Sequence, residues 1–137
     1  MHIKELCKIS HLAASSKGFW ETITCPKCNG ASTTKFLKGH KILCLECNNT
    51  GKIIKDRNNG ELIALIHSEL SETLEALRHN NPESDKIKGF TGAEEELADC
   101  VIRICDMAEA RGWDLEGAID AKLEYNRGRK HKHGKMF

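Results

Sequence analysis

The sequence predicts an all-α protein: a four-helix bundle, interrupted between helices one and two by a small cysteine module. Three observations carry that expectation. Apolar residues recur at helical spacing in four segments joined by short polar links. Residues 22–55 lose that period and turn rich in Lys, Thr, Gly, Asn and Cys. The same stretch holds two C-x-x-C pairs. The 137 residues suit one ordinary domain carrying an insertion, so the helical domain is read as 1–21 with 56–137 and the insert as 22–55.

Helix one covers residues 3–17, with Ile3, Leu6, Ile9 and Ala13 at helical spacing and Gly18 as its C-terminal cap. Phe19-Trp20 follows. Helix two runs from about Glu61 to Arg78, after the turn Asp56–Gly60, with Ile63, Ile66, Leu70, Leu74 and Leu77 as its main apolar stripe. A polar loop with Asn80-Asn81-Pro82 and Gly89 leads to helix three, about Ala93–Arg111, whose stripe is Leu97, Val101, Ile104 and Ala108. Gly112 ends it. Asp114 is the expected N-cap of helix four, which carries Leu115, Ala118 and Ile119 and reaches about Arg127.

Helix two also bears a second row, Leu62, Leu65, Glu69, Glu72, Ala76, in which two acids interrupt apolar positions. Residues three apart share a helix face, with Cβ atoms about 5–6 Å apart. Helix three repeats the device with Glu96 and Asp99 among Leu97, Ala98, Cys100 and Val101. Acids three apart are most often a solvated face. Set into an apolar row, however, they are costly to bury unless paired or bound to metal. Packed helices bring Glu69, Glu72, Glu96 and Asp99 to one point, an all-oxygen set suited to Mg²⁺ or Mn²⁺ and hence to a phosphorylated substrate. Glu75, Glu94 and Glu95 are read as solvated surface.

Cys25-Pro-Lys-Cys28 and Cys44-Leu-Glu-Cys47 match the two-knuckle spacing of a structural zinc site. Two disulfides or an iron–sulfur cluster are the alternatives, the former disfavoured in a cytosolic chain. The two turns resemble the cysteine-rich repeats of DnaJ-type zinc modules, which implies a zinc-holding role for Cys25, Cys28, Cys44 and Cys47. His40 is a spare ligand, read as surface. Cys7, Cys100 and Cys105 lie on apolar faces as small core residues. Lys35, Lys38, Lys41, Lys52 and Lys55 make the module basic, but Phe36 alone offers a stacking aromatic. Contact with a partner or the substrate rim is therefore expected ahead of nucleic-acid recognition.

The net charge of +1 hides segregation: residues 1–58 carry +6, residues 59–121 carry −10 and residues 122–137 carry +5. An acidic middle between basic ends suits a site with cations in its floor and a polyanion at its rim. Lys122, Tyr125, Asn126 and Arg129 fall on one side of helix four and offer phosphate contacts, extended by Arg127, Lys130, His131, Lys132, His133 and Lys135. Lys122 and Asn126 continue the line of Leu115 and Ile119 toward the core. No apolar run approaches the roughly 18–20 residues of a bilayer span. Glu5, Lys8 and Ser10 break any signal-like start, so a cytoplasmic chain without a membrane partner is expected.

Ala64-Leu-Ile-His-Ser-Glu-Leu-Ser-Glu72, Glu95-Glu-Leu-Ala-Asp99 and Lys122-Leu-Glu-Tyr-Asn126-Arg-Gly-Arg129, with Gly18-Phe-Trp20 after the first helix, resemble a MazG-type all-α nucleoside triphosphate pyrophosphohydrolase. The resemblance covers residues 1–20 and 59–130. It implies cleavage of a nucleoside triphosphate to the monophosphate and pyrophosphate, Mg²⁺ ligands at Glu69, Glu72, Glu96 and Asp99, and phosphate contacts at Lys122 and Asn126, with Tyr125 and Arg129 beside them. It also implies a homodimer or tetramer. The family motif often has a further acid directly before the first Glu, and here Ser68 stands there. Trp20 is read either as a platform for the base or as a core aromatic capping the bundle. Rival readings are a zinc-ribbon adaptor, for nucleic acid or protein, whose helical part only dimerises, and a deoxyuridine triphosphate hydrolase or phosphoribosyl-ATP pyrophosphohydrolase on the same scaffold.

Overall fold

The computed structural model describes residues 1–37 and 40–129, and no side chains for residues 35–37. Lys38 and the basic residues Lys130, His131, Lys132, His133 and Lys135 lie outside the described residues, as do the side chains of Lys35 and Phe36. The element order is α1 (Ile3–Ser16), β1 (Thr22–Thr24), β2 (Thr33–Leu37), β3 (His40–Leu43), β4 (Lys52–Ile54), α2 (Asn59–Arg78), α3 (Gly92–Ala110) and α4 (Leu115–Arg127). The chain is thus mostly helical but not all-α, which corrects the expected class. Short runs of Thr and Ile, residue types that favour strands, form two antiparallel sheets, β1 with β4 and β2 with β3.

Two compact units result, Met1–Ala13 with Gly60–Phe137, and Ala14–Asn59. The second is wider than 22–55 because it takes in the end of α1, Phe19-Trp20 and the turn before α2.

In the helical unit, local chemistry fixes each boundary. After α2, Asn80 and Asn81 take left-handed φ of 63° and 49°, and the Asn81 N–H donates to the Ala76 carbonyl at 2.8 Å. Thr91 starts α3 with a capping box: its hydroxyl accepts from the Glu94 N–H, and the Glu94 carboxylate accepts from the Thr91 N–H. Asp114 caps α4 by accepting from the Gly117 N–H. A Cβ on Gly92 would stand 3.2 Å from the Ala76 Cβ, so the first residue of α3 lies against the last turns of α2 and the two helices run antiparallel. Elsewhere α1, α3 and α4 meet around buried Cys7, Cys105 and Ala108, flanked by Ile3, Leu6 and Leu115.

The inward faces differ from those expected. Ile63, Leu70, Leu74 and Leu77 on α2 are 44–55% exposed, and Leu97, Val101 and Ile104 on α3 are 37–48% exposed. The buried side chains of α2 are Leu62, Glu69 and Thr73, so the acid-bearing row is the inner one. On α3 the buried set includes Glu95, Glu96, Cys100 and Ala108. On α1 it is Cys7 and Ser10, while Ile9 is exposed. No residue of α4 is buried, so Lys122 and Asn126 do not continue a line into the core.

The cysteine unit depends on one close backbone passage. Gly51 has φ +75°, and a Cβ there would meet the Gly30 carbonyl oxygen at 2.5 Å. Gly18 has φ +82° with nothing within 4 Å of its Cβ position. Gly51→Ala therefore meets strain and a backbone clash, whereas Gly18→Ala meets strain alone. We expect Gly51→Ala to loosen the unit by at least about 1–3 kcal/mol and Gly18→Ala to cost less. Faster labelling of the four cysteines by a thiol reagent in Gly51→Ala than in Gly18→Ala is the readout; equal rates would contradict the close passage.

Candidate metal centres

Glu69, Glu72 and Glu96 each place one carboxylate oxygen within 4.8 Å of the others. Glu69 and Glu96 are buried and Glu72 is exposed, so two acids form a floor and the third an open edge. Two full charges about 4 Å apart near a protein surface repel by about 4 kcal/mol. Without a cation, the group must shed charge or recruit a partner. Burial pushes the Glu96 carboxyl above its usual range, and its bond with Glu69 adds to this. Oxygen ligands at about 2.1 Å around an octahedral ion stand about 3 Å apart when adjacent and about 4.2 Å when opposite. Small side-chain movements bring the three acids to that spacing, and hard oxygen donors suit Mg²⁺ or Mn²⁺.

Two cations already serve this cluster, and the sequence reading missed both. Arg103 donates from Nε to Glu69 Oε1 at 2.5 Å. Its signal was its place seven residues after Glu96, on the same face of α3. Lys86, from the α2–α3 loop, sits 2.5 Å from Glu95 Oε1 and 3.7 Å from Glu96 Oε1. Glu95, read as solvated surface, is buried at 7% exposure. It bonds the Ser84 hydroxyl, and the Lys86 ammonium, ahead of Ser84, holds its carboxyl below the usual range. Glu75 and Glu94 are exposed as expected.

Asp99 is half-buried one turn beyond Glu96 and outside the group of three; its electrostatic effect is felt at Lys86. The Lys122 ammonium on α4 and the Arg129 guanidinium just beyond its end lie over the Tyr125 ring, 4.8 and 5.8 Å from its centroid. These three gather as an exposed basic group with Asn126 beside them. No described hydrogen bond or ion pair joins that group to the acids. Trp20, in the other unit, is 5% exposed with the Arg57 guanidinium 5.4 Å from its ring centroid. That ring is buried rather than open to solvent. A further open cavity of about 380 Å³, lined among others by Lys4, Lys8 and Trp113, shares no residue with the acids.

In the other unit the four cysteine sulfurs converge and are buried. Cys25 and Cys44 sulfurs lie 3.8 Å apart, as do those of Cys28 and Cys47. Thiolates at about 2.3 Å around a tetrahedral ion have edges of about 3.8 Å, so the set fits one closed metal site. Burial pushes the Cys28 thiol up to about 11. Burial acts on Cys47 too, but the Gly51 N–H at 3.3 Å and the neighbouring thiols outweigh it and bring that group to about 7. His40 is exposed, whereas Cys7, Cys100 and Cys105 are buried.

No described helix is long and apolar enough to cross a membrane. Comparison with family models, curated proteins and solved structures finds no match to the chain.

Two expectations follow from these centres. Purified protein should carry about one thiolate-bound metal ion per chain, and Cys28→Ser should lose it and disorder the 14–59 unit, with the α2–α4 helical signal kept. Elemental analysis with circular dichroism checks this; a metal-free chain with a folded cysteine unit would refute it. The second concerns pH. A carboxyl whose folded pKa is raised costs stability above that pKa, and the cost disappears below its ordinary value of 4.5. In EDTA, Glu96→Gln should therefore melt at least about 2 °C above the parent at pH 7.5, with the gap closing near pH 4. Mn²⁺ should raise the parent's melting temperature more than the variant's. A constant gap across pH would refute the assignment.

Proposed function

We propose that the helical unit is a Mg²⁺- or Mn²⁺-dependent nucleoside triphosphate pyrophosphohydrolase of the MazG type. It cleaves a ribo- or deoxyribonucleoside triphosphate to the monophosphate and pyrophosphate. The observation that carries this reading is the convergence of Glu69, Glu72 and Glu96 within 4.8 Å, on the two helices whose acid motifs carry the resemblance. An ion bound there supplies charge neutralisation for the phosphates and acidity for a water.

The chain's own residues divide the remaining work. Glu69 and Glu96 form the buried floor, with Asp99 at its edge as a fourth ligand. Glu69 is tied to Arg103, which leaves exposed Glu72 as the carboxylate freest to accept the proton of the attacking water. Lys122, Asn126 and Arg129, grouped about Tyr125, offer cations and an amide for the phosphates. The Cys25, Cys28, Cys44 and Cys47 site is read as structural Zn²⁺, because a closed set of four thiolates keeps no open position for chemistry. The exposed apolar rows of α2 and α3 support a homodimer or tetramer.

The test is a panel of nucleoside triphosphates, with dUTP and phosphoribosyl-ATP included, scored for pyrophosphate against orthophosphate. We expect pyrophosphate from at least one substrate, only with Mg²⁺ or Mn²⁺ present, and a loss of at least about 100-fold in kcat for Glu72→Gln. Orthophosphate alone, or no turnover across the panel, would sink the proposal in favour of a zinc-ribbon adaptor.

A further inference from the structure

The α2–α3 loop holds a surface lysine in a way that ordinary solvated lysines are not held. The Lys86 side chain is 68% exposed, yet its ammonium is 2.5 Å from Glu95, a carboxylate with only 9% of its side chain exposed. Glu95 is in turn gripped by the Ser84 hydroxyl, which is itself buried. That hydroxyl also accepts the backbone N–H groups of Lys86 and Ile87, both at 3.0 Å. Backbone and ammonium of Lys86 are thus fixed by the same buried strut. The strut aims the charge at the acid cluster, 3.7 Å from Glu96 Oε1.

We propose that Lys86 binds the polyphosphate of the substrate, a role that rests on the reading of Glu69, Glu72 and Glu96 as a divalent-metal site. A cation bound at Glu96 takes over that carboxylate and leaves Lys86 on Glu95 alone. An ammonium has three donors. With one engaged by Glu95, the others stand at the rim of the metal site, where non-bridging phosphate oxygens gather. One divalent ion neutralises only part of a triphosphate's charge. Lys86 supplies a further positive charge beside it. Glu95 is then a positioning residue: it touches no substrate and fixes the lysine that does.

The test uses the full chain, with Mn²⁺ alone and inorganic tripolyphosphate with Mg²⁺ as probes in calorimetry. Lys86→Ala should weaken tripolyphosphate binding about tenfold while Mn²⁺ affinity is unchanged or higher, and Lys86→Arg should stay within about threefold of the parent. Glu95→Gln keeps a partner for Ser84 but releases the lysine, and should weaken tripolyphosphate in the same direction. It serves if Lys86→Ala does not fold. Lys88→Ala removes an equal charge from the same loop and should change tripolyphosphate affinity less than about twofold. With the panel's best substrate, Lys86→Ala should raise KM more than it lowers kcat. Parent-like tripolyphosphate affinity in Lys86→Ala, or joint loss of Mn²⁺ and tripolyphosphate binding, would overturn the inference. A parent chain that takes up Mn²⁺ but no tripolyphosphate would overturn it and leave the metal site standing. A parent that binds neither would overturn the metal site itself.

Discussion

Burying Glu69 and Glu96 together in the α2–α3 seam is the constraint that the rest of the helical unit answers. Both are nearly inaccessible, at 4% and 9% exposure, and buried carboxylates require protons, partners or a metal. Arg103 answers from α3 and Lys86 from the loop. The loop can answer only because Ser84 and Glu95 fix it. The Thr91 capping box sets where α3 begins, and so which of three consecutive glutamates face inward. Glu94 is spent on the cap, Glu95 on Lys86 and Glu96 on the acid cluster. One three-residue acidic run thereby performs three different tasks, each set by its angle on the helix.

The cysteine unit meets a different shortage. Its strands are three to five residues long, too short to enclose an apolar core. Its buried cluster is the four cysteines with Ile53 packed against them. Sulfur ligation replaces hydrophobic burial as the organising force in such small units. Asn29, Asn48 and Asn49 adopt left-handed φ, as do Gly30 and Gly51, so the chain can reverse beside each cysteine pair. The unequal thiols express the same geometry. The Cys47 sulfur receives the Gly51 N–H, whereas burial dominates at Cys28. An ion that ligates all four erases that inequality, since each binds as thiolate.

Much of this was legible in the chain, and the failures on the helices share one cause. Helix spans came out within about two residues because their ends are local events, such as the Asp114 cap and the Gly112 break. The cysteine spacing was legible because ligand geometry demands fixed intervals, and the convergence of Glu69, Glu72 and Glu96 because residues three apart share a helix face. What failed was the choice of inward face. Hydropathy ranks Ile63, Leu70, Leu74 and Leu77 above the row containing Glu69 and Glu72, so the strongest apolar stripe reads as the core. Tertiary pairing across the seam overrode that ranking. Arg103, Lys86 and Ser84 escaped for a related reason: their roles depend on partners tens of residues away. The strands of the insert escape because runs of three to five residues carry too little pattern to register.

The outward stripe is then a second consequence of the buried acids, not an independent feature. Ile63, Leu70 and Leu77 recur at intervals of seven, with Ile66 between the first two, over about 21 Å of α2. Heptad spacing of that kind is complementary to another helix at about 8–10 Å, not to a flat sheet or a small ligand. A second copy of α2 or α3, with equivalent apolar rows, meets that need by symmetry, since an isologous contact requires only one self-complementary face. The proposed oligomer would therefore clamp α2 and α3 from outside while the acids and their cations hold them from inside. A helix fixed on both sides is a rigid support, and rigid support is what a charged site needs if its carboxylates are to stay at ligand spacing while like charges push them apart.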